Sequence, residues 1–87
     1  MNSEKTTTEW ESVNSMVIVS LGQSIARARK KRGLTQRAVA EKMGISAGYV
    51  GDVERGKMNI TIETLVRFLV AIEVPEKEII KIVEFTV

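Results

Sequence analysis

At 87 residues and 9.7 kDa, the chain is long enough for one small domain. Its composition, 44% hydrophobic and 28% charged, is globular, and the absence of Cys and His excludes disulfides, zinc fingers and thiol catalysis. The net charge of +2 is divided unevenly: residues 21–58 carry nine Lys/Arg and three Asp/Glu, or +6, and the rest carries four and eight, or −4. We therefore expect the middle of the chain to attract a polyanion.

The first 20 residues are predicted to be an N-terminal tail or an extra short element. Residues 1–11 are polar and rich in Thr and Glu, which predicts a mobile tail in which Trp10 marks a packed spot. Residues 12–20 fit two alternatives, a helix that leads into the next element or a short β-branched strand over residues 16–19. No apolar run approaches the roughly 18–20 residues that span a membrane, and nothing resembles a signal peptide, so the sequence predicts a cytoplasmic protein.

From residue 21 onward, caps and apolar spacing predict a compact all-α domain that extends to residue 87. Five helices are expected, over residues 21–32, 36–43, 47–55 and 62–72 and from Pro75 onward. Three residues are predicted N-caps and three glycines are predicted to end the preceding helices: Thr35, Ser46 and Thr61, then Gly33, Gly44 and Gly56.

The second and third helices meet the requirements of two helices that cross closely through a sharp turn. Ala40 is small where the axes approach, and Gly44 supplies the positive φ that the turn needs. The apolar residues expected to fix the crossing are Val39, Met43, Ile45, Val50 and Val53. Together these residues predict a helix-turn-helix.

On this pattern the chain resembles the phage repressor and Cro-type helix-turn-helix regulators, the XRE family. The likeness covers about residues 21–83, and its most specific pieces are residues 33–36, 44–46 and 53–57. Residues 54–61 followed by Leu65 also resemble restriction–modification controller proteins. The resemblance implies a five-helix, lambda-repressor-like domain that binds double-stranded DNA as a transcription regulator. No cofactor is implied, and because no effector domain is evident, no small-molecule effector is expected.

The resemblance also implies the DNA-binding residues. Residues 47–55 would be the recognition helix, and the implied reader or groove positions are Ser46, Ala47, Gly48, Tyr49 and Asp52. Ala47 and Gly48 depart from the Arg, Gln, Lys or Asn usual there and offer only apolar contact or close backbone approach. Asp52 is either an acceptor for cytosine or a surface residue, and Tyr49 is either a groove contact or half-buried packing.

Phosphate contacts are expected from Gln36, Arg37, Lys57 and Asn59. Gln36 starts the second helix, where free N–H groups and the helix dipole suit an anion. The basic run over residues 27–32 lies near DNA or is a solvated face. Within it, the family resemblance implies that Arg29 pairs with Glu54 rather than contacting DNA.

Surplus apolar residues predict a homodimer through the C-terminal helices. They are Ile79, Ile80, Ile82, Val83, Phe85 and Val87, with Val66, Leu69 and Val70 in the fourth helix. A two-fold dimer would set two recognition helices about 34–36 Å apart on an inverted repeat. Strand exchange through residues 16–19 or 83–87 is the alternative geometry.

A second function remains open at this level. The same fold can serve as an antitoxin or bridging-type protein-interaction module, with residues 1–20 as the partner-binding segment. An enzyme is not expected, since the chain lacks His, Cys, a Gly-rich phosphate loop and an evident pair of carboxylates.

Overall fold

A computed structural model describes residues 3–84, without the side chains of residues 3–7, 82 and 83. These residues form five helices and no strand: α1 (Ser3–Lys31), α2 (Gln36–Met43), α3 (Ala47–Glu54), α4 (Ile62–Ala71) and α5 (Glu76–Glu84). The all-α prediction is confirmed. Helix α2 has its predicted bounds, and α3 and α4 end one residue earlier than predicted because Arg55 and Ile72 are their C-caps.

Helix α1 is much longer than the sequence predicted. It runs unbroken from Ser3, so residues 12–20 follow the helical alternative rather than the strand, and residues 3–11 are helical instead of a tail. Trp10 does not mark a packed spot, because its side chain is mostly exposed. Residues 3–21 contain no Gly or Pro, and extending an existing helix avoids the cost of nucleation. Long as it is, α1 is not apolar enough to span a membrane, and neither is any other described helix.

The first four helices end on the same turn, in which a residue of left-handed φ and the residue after it donate their N–H groups to the last carbonyls of the helix. Gly33, Gly44 and Gly56 have φ of 71°, 70° and 76°, as their predicted capping roles require. At Gly33, its own N–H donates to the Lys30 carbonyl and the next N–H donates to the Arg29 carbonyl. The turn after α4 has the same pattern without glycine, since Glu73 occupies it at φ 73°. Sequence reasoning missed this fourth turn because glycine was its signal.

The core lies where the first four helices meet, and α5 packs on it through Ile79. Its buried members are Ile25, Val39, Ala40, Val50, Val53, Leu65, Phe68, Leu69, Ala71 and Ile72. Leu69, predicted to belong to the apolar surplus, is therefore a core residue. Val66, Val70 and Ile80 are exposed. The side chains of Ile82 and Val83, and the whole of residues 85–87, lie outside the described part of the chain.

Candidate nucleic-acid interface

The turn between α2 and α3 presents the first turn of α3 to solvent. The hydroxyl of Thr35 caps α2 by accepting from the Ala38 N–H at 3.0 Å, and the Ser46 hydroxyl caps α3 by accepting from the Tyr49 N–H at 3.0 Å. Both predicted N-caps are thus confirmed. Val50, Gly51 and Val53 on one side of α3 are buried, whereas residues 46–48 are exposed. The short helix is therefore anchored by its last turns and free at its N-terminus.

The exposed end of α3 is small and has room around it. A Cβ atom on Gly48 would meet only the Ser46 hydroxyl, at 3.9 Å, so Gly48 can take a side chain without moving the fold. Tyr49 is half-buried, and its ring stacks on Phe68 with centroids 6.4 Å apart and planes 25° apart. The packing alternative for this ring is thus realised. Ala47 and Gly48 leave the apolar and backbone contacts expected of them available.

Asp52 is half-buried and is paired rather than free. Its carboxylate accepts from the guanidinium of Arg55 at 2.6 Å, one helical turn later. That guanidinium lies over Gly51, where a Cβ atom would come within 3.1 Å of Arg55 Nη1. Arg55, the C-cap of α3, is an exposed cation that the predicted site did not include. The i,i+3 spacing of opposite charges was the sequence signal for it.

A buried ion pair ties three helices together behind the exposed turn. Arg29 of α1 donates to both carboxylate oxygens of Glu54 in α3, at 2.6 and 2.9 Å, and also to the Leu34 carbonyl at 2.8 Å. Gln36, at the start of α2, donates to the same carboxylate at 2.9 Å. The side chains of Arg29 and Glu54 are only 9% and 7% exposed. The predicted pair is confirmed, and it fixes the ends of α2 and α3 against α1.

In the cluster of Arg29, Glu54 and Gln36, the pKa shifts keep Arg29 and Glu54 in their charged forms. The pKa of Arg29 is raised, chiefly by its hydrogen bond to Glu54, against the effect of burial. Burial is the largest single effect on Glu54 and raises its pKa. The hydrogen bonds from Arg29 and Gln36, with the charges of Arg29 and Lys30, outweigh burial together, so the pKa of Glu54 is lowered overall. The carboxylate therefore remains ionised at neutral pH and holds the pair.

A second close contact supports α3 from behind. Gly22 in α1 lies against the end of α3, where a Cβ atom would sit 2.4 Å from the Val53 carbonyl oxygen and 2.8 Å from that of Glu54. At Gly56, which follows α3, a Cβ atom would come within 2.8 Å of Val19 Cγ2. Only glycine permits these two approaches. Sequence reasoning missed Gly22, since a glycine inside a helix gives no sign of what crosses it.

The expected phosphate ligands divide into one tethered residue and three free ones. Gln36 is half-buried, and its side-chain amide donates a hydrogen bond to the Glu54 carboxylate. Arg37, Lys57 and Asn59 are exposed, and within the described residues none of them forms a side-chain hydrogen bond or ion pair. Three free polar side chains thus lie before and after α3 along the chain.

The basic run of α1 has mixed roles. Arg29 is structural, Arg27 donates to the Ser24 hydroxyl, and Arg32 donates to the Glu73 carbonyl at 3.3 Å. Lys30 and Lys31 are exposed. The run is therefore neither one uniform solvated face nor one uniform DNA-binding surface.

Comparisons with known proteins agree with this geometry. Residues 25–79 match the family HTH_3, described as helix-turn-helix. The chain is 37% identical over 60 residues to y4dJ, an HTH-type transcriptional regulator of Sinorhizobium fredii, a match that covers 69% of this chain and 78% of the relative. It is 43% identical over 47 residues to the immunity repressor protein of Bacillus phage phi105, and there it spans 54% of this chain and 33% of the repressor.

Among solved structures, the fold is similar to the restriction-modification controller protein C.AhdI from Aeromonas hydrophila. The TM-score is 0.66 at 30% identity, over 74% of this chain and 97% of that one. The family match covers more than half of the chain and contains α2, the turn and α3. The chain therefore belongs to the XRE-type helix-turn-helix family of DNA-binding transcriptional regulators.

Proposed function

We propose that the protein is a homodimeric transcription regulator that binds an inverted repeat through α3. The observation that carries this is the exposed N-terminal turn of α3, residues 46–48, on a helix whose opposite face is buried and tied to α1 by Arg29 and Glu54. A helix held in this way enters the major groove as a rigid unit.

Phosphate contacts position the protein in this proposal, through the side chains of Gln36, Arg37, Lys57 and Asn59. Lys57→Ala is expected to weaken binding to every duplex by a similar factor and to lower the salt slope by about one. Lys77→Ala is the matched control, since it removes the same charge from an exposed position on α5. Because α5 is also part of the proposed dimer interface, the control is valid only if its sedimentation mass equals that of the wild type. Fluorescence anisotropy with operator and random duplexes at two salt concentrations measures both. A changed sequence preference in Lys57→Ala would show that this lysine reads bases.

Sequence readout falls to Ser46, Ala47 and Gly48, with Tyr49 and Asp52 next to them. Because Ala47 and Gly48 bear no donors, we expect the ratio of specific to non-specific affinity to be low, about 10³–10⁴. Gly48→Arg has room to fold and introduces a donor, so it should shift the preferred sequence toward guanine. A wild-type ratio above about 10⁶ would overturn the idea of weak direct readout.

The homodimer is proposed to form through α4 and α5. Val66, Val70 and Ile80 are exposed apolar side chains of these helices, with Ile80 at 53% exposure. Burying them between two copies would give the two-fold symmetry that an inverted repeat requires. In sedimentation equilibrium, Ile80→Asp should lower the mass and the affinity for the inverted repeat together. An unchanged mass and affinity would exclude this interface.

A further inference from the structure

The N-terminal half of α1 carries an apolar stripe that its own domain does not cover. Trp10, Val13, Met16 and Val17 are all exposed, with Trp10 and Val13 each at 58%. Together they leave on the order of 400 Å² of apolar surface in one place, as much as the largest patch on an ordinary monomer. All four precede residue 25, where the helix-turn-helix family match begins. The part of the chain that matches the helix-turn-helix family therefore does not account for them.

The C-terminal half of the same helix borders an apolar groove. The groove has a volume of about 660 Å³ and lies between α1 and the region of α4 and α5. Its walls include Leu21, Ser24 and Ala28 of α1, Leu65 and Leu69 of α4, and Val74. Trp10, Val13, Val17, Leu21, Ser24 and Ala28 recur every three or four residues, so the stripe and the α1 wall of the groove form one continuous face of the helix.

We propose that two copies of the chain pair through antiparallel α1 helices, with Trp10 of each copy in the groove of the other. A helix rises 1.5 Å per residue, so Trp10 lies about 10 Å before Val17, and Ser24 lies about 10 Å after it. A two-fold axis at Val17 therefore sets Trp10 of one copy level with Ser24 of the other. Within one chain the same two residues are about 20 Å apart on a single helix, so Trp10 cannot reach its own groove.

Charge favours this orientation. Among the described residues, the rim of the groove holds Arg27, Lys31 and Arg32 with one acid, Glu78, a net charge of +2. The helix half that would enter the groove is acidic, with Glu9 and Glu11 on either side of Trp10. Antiparallel pairing about Val17 brings Glu9 within one helical turn of Arg27 of the other copy. A parallel arrangement would instead set the two acidic halves side by side.

The pairing is separate from the dimer proposed through α4 and α5. Val66, Val70 and Ile80 are not among the described residues that line the groove, so a chain that formed both contacts would assemble into more than two copies. The α1 contact is best measured in the Ile80→Asp background, where the other interface is disabled. Trp10 is the only tryptophan and reports burial of the stripe directly.

In that background we expect sedimentation equilibrium to give a dimer, and Trp10 emission to move to shorter wavelength as the concentration rises. Adding Val13→Asp should weaken the dimer by about a hundredfold and hold the emission at the long-wavelength limit. Adding Val70→Asp is the matched control, because Val70 is a valine of similar exposure, 61%, on α4, and it should change neither readout.

Cysteine cross-linking fixes the orientation, since the chain contains no cysteine of its own. A mixture of Trp10→Cys and Ser24→Cys chains should oxidise to a covalent heterodimer, while neither variant alone should cross-link. Efficient self-cross-linking of Trp10→Cys would contradict the antiparallel arrangement. If Ile80→Asp is monomeric at all concentrations with constant Trp10 emission, the α1 pairing is wrong and the α4–α5 dimer stands. If the wild type is also monomeric, both proposed interfaces are wrong, and the apolar stripe of α1 would be a binding surface for a different protein.

Discussion

Breaking the ion pair between Arg29 and Glu54 should cost this small domain a large part of its stability. The two side chains are 9% and 7% exposed and meet through two hydrogen bonds of 2.6 and 2.9 Å. Removing one partner strands the other charge away from water, which costs about 3–5 kcal/mol. A domain of this size has only about 4–13 kcal/mol of stability in total. Either single substitution, Arg29→Met or Glu54→Leu, should therefore remove roughly a quarter or more of the free energy of unfolding.

The double variant separates pairing from burial. With both charges gone, no charge is stranded, although Gln36 and the Leu34 carbonyl each lose a hydrogen bond. Arg29→Met/Glu54→Leu should therefore be more stable than either single variant, which requires an interaction energy above about 3 kcal/mol, beyond the usual range of about 0.5–3 kcal/mol. Urea unfolding followed by circular dichroism gives the free energy of unfolding of the wild type, the two single variants and the double variant, which together form a double-mutant cycle. The pair Glu63–Arg67 is the control: its side chains are 76% and 64% exposed, and its coupling should be about 0.3–0.5 kcal/mol.

Equal coupling energies in the buried pair and the exposed pair would show that burial strands no charge when one partner is removed. DNA binding provides a second readout, because the pair aligns α3 with α1. A double variant that recovers stability but not affinity for the operator would separate the two roles of the cluster and show that the pair is also a positioning element.

Three further predictions rest on single contacts. The pKa of Glu54 is lowered in the folded state, so the stabilisation that its carboxylate provides is fully present above the ordinary pKa of 4.5 and is lost as the pH falls through the folded pKa. The free energy of unfolding should drop in that pH window. In a pH series of urea melts, Glu54→Gln should flatten the drop. Gly22→Ala sets a Cβ atom 2.4 Å from the Val53 carbonyl oxygen and should lower the free energy of unfolding by about 1–3 kcal/mol. Gly48→Ala, with nothing closer than 3.9 Å, should raise it by about 0.5–1 kcal/mol. Equal effects on Tm would mean that α1 and α3 are not in close contact. Glu73→Gly removes the backbone strain of a left-handed non-glycine residue, about 1–2 kcal/mol, and loses only an exposed ion pair worth less than about 1 kcal/mol. It should therefore raise Tm, whereas Glu73→Ala, which keeps the strain and loses the ion pair, should lower it. A Tm that falls in both variants would show that the ion pair outweighs the strain.

The amino-acid sequence alone predicted the local signals of this protein correctly. Thr35, Ser46 and Thr61 cap helices, and Gly33, Gly44 and Gly56 end them, because capping and positive φ depend on a residue and its nearest neighbours. The helix-turn-helix and the family followed from the same short-range pattern. The partnership of Arg29 with Glu54 came from the family resemblance, not from the residues themselves.

Contacts between distant parts of the chain were decided only by the tertiary structure. The role of Gly22 shows only in the tertiary structure, where α3 crosses α1 and a Cβ atom would sit 2.4 Å from the Val53 carbonyl oxygen. The length of α1 was missed because polar residues suggested a tail, although propagation from a stable helix needs no buried face. Burial likewise placed Leu69 in the core and left Trp10 exposed, since the spacing of apolar residues marks a helical face without saying what covers it.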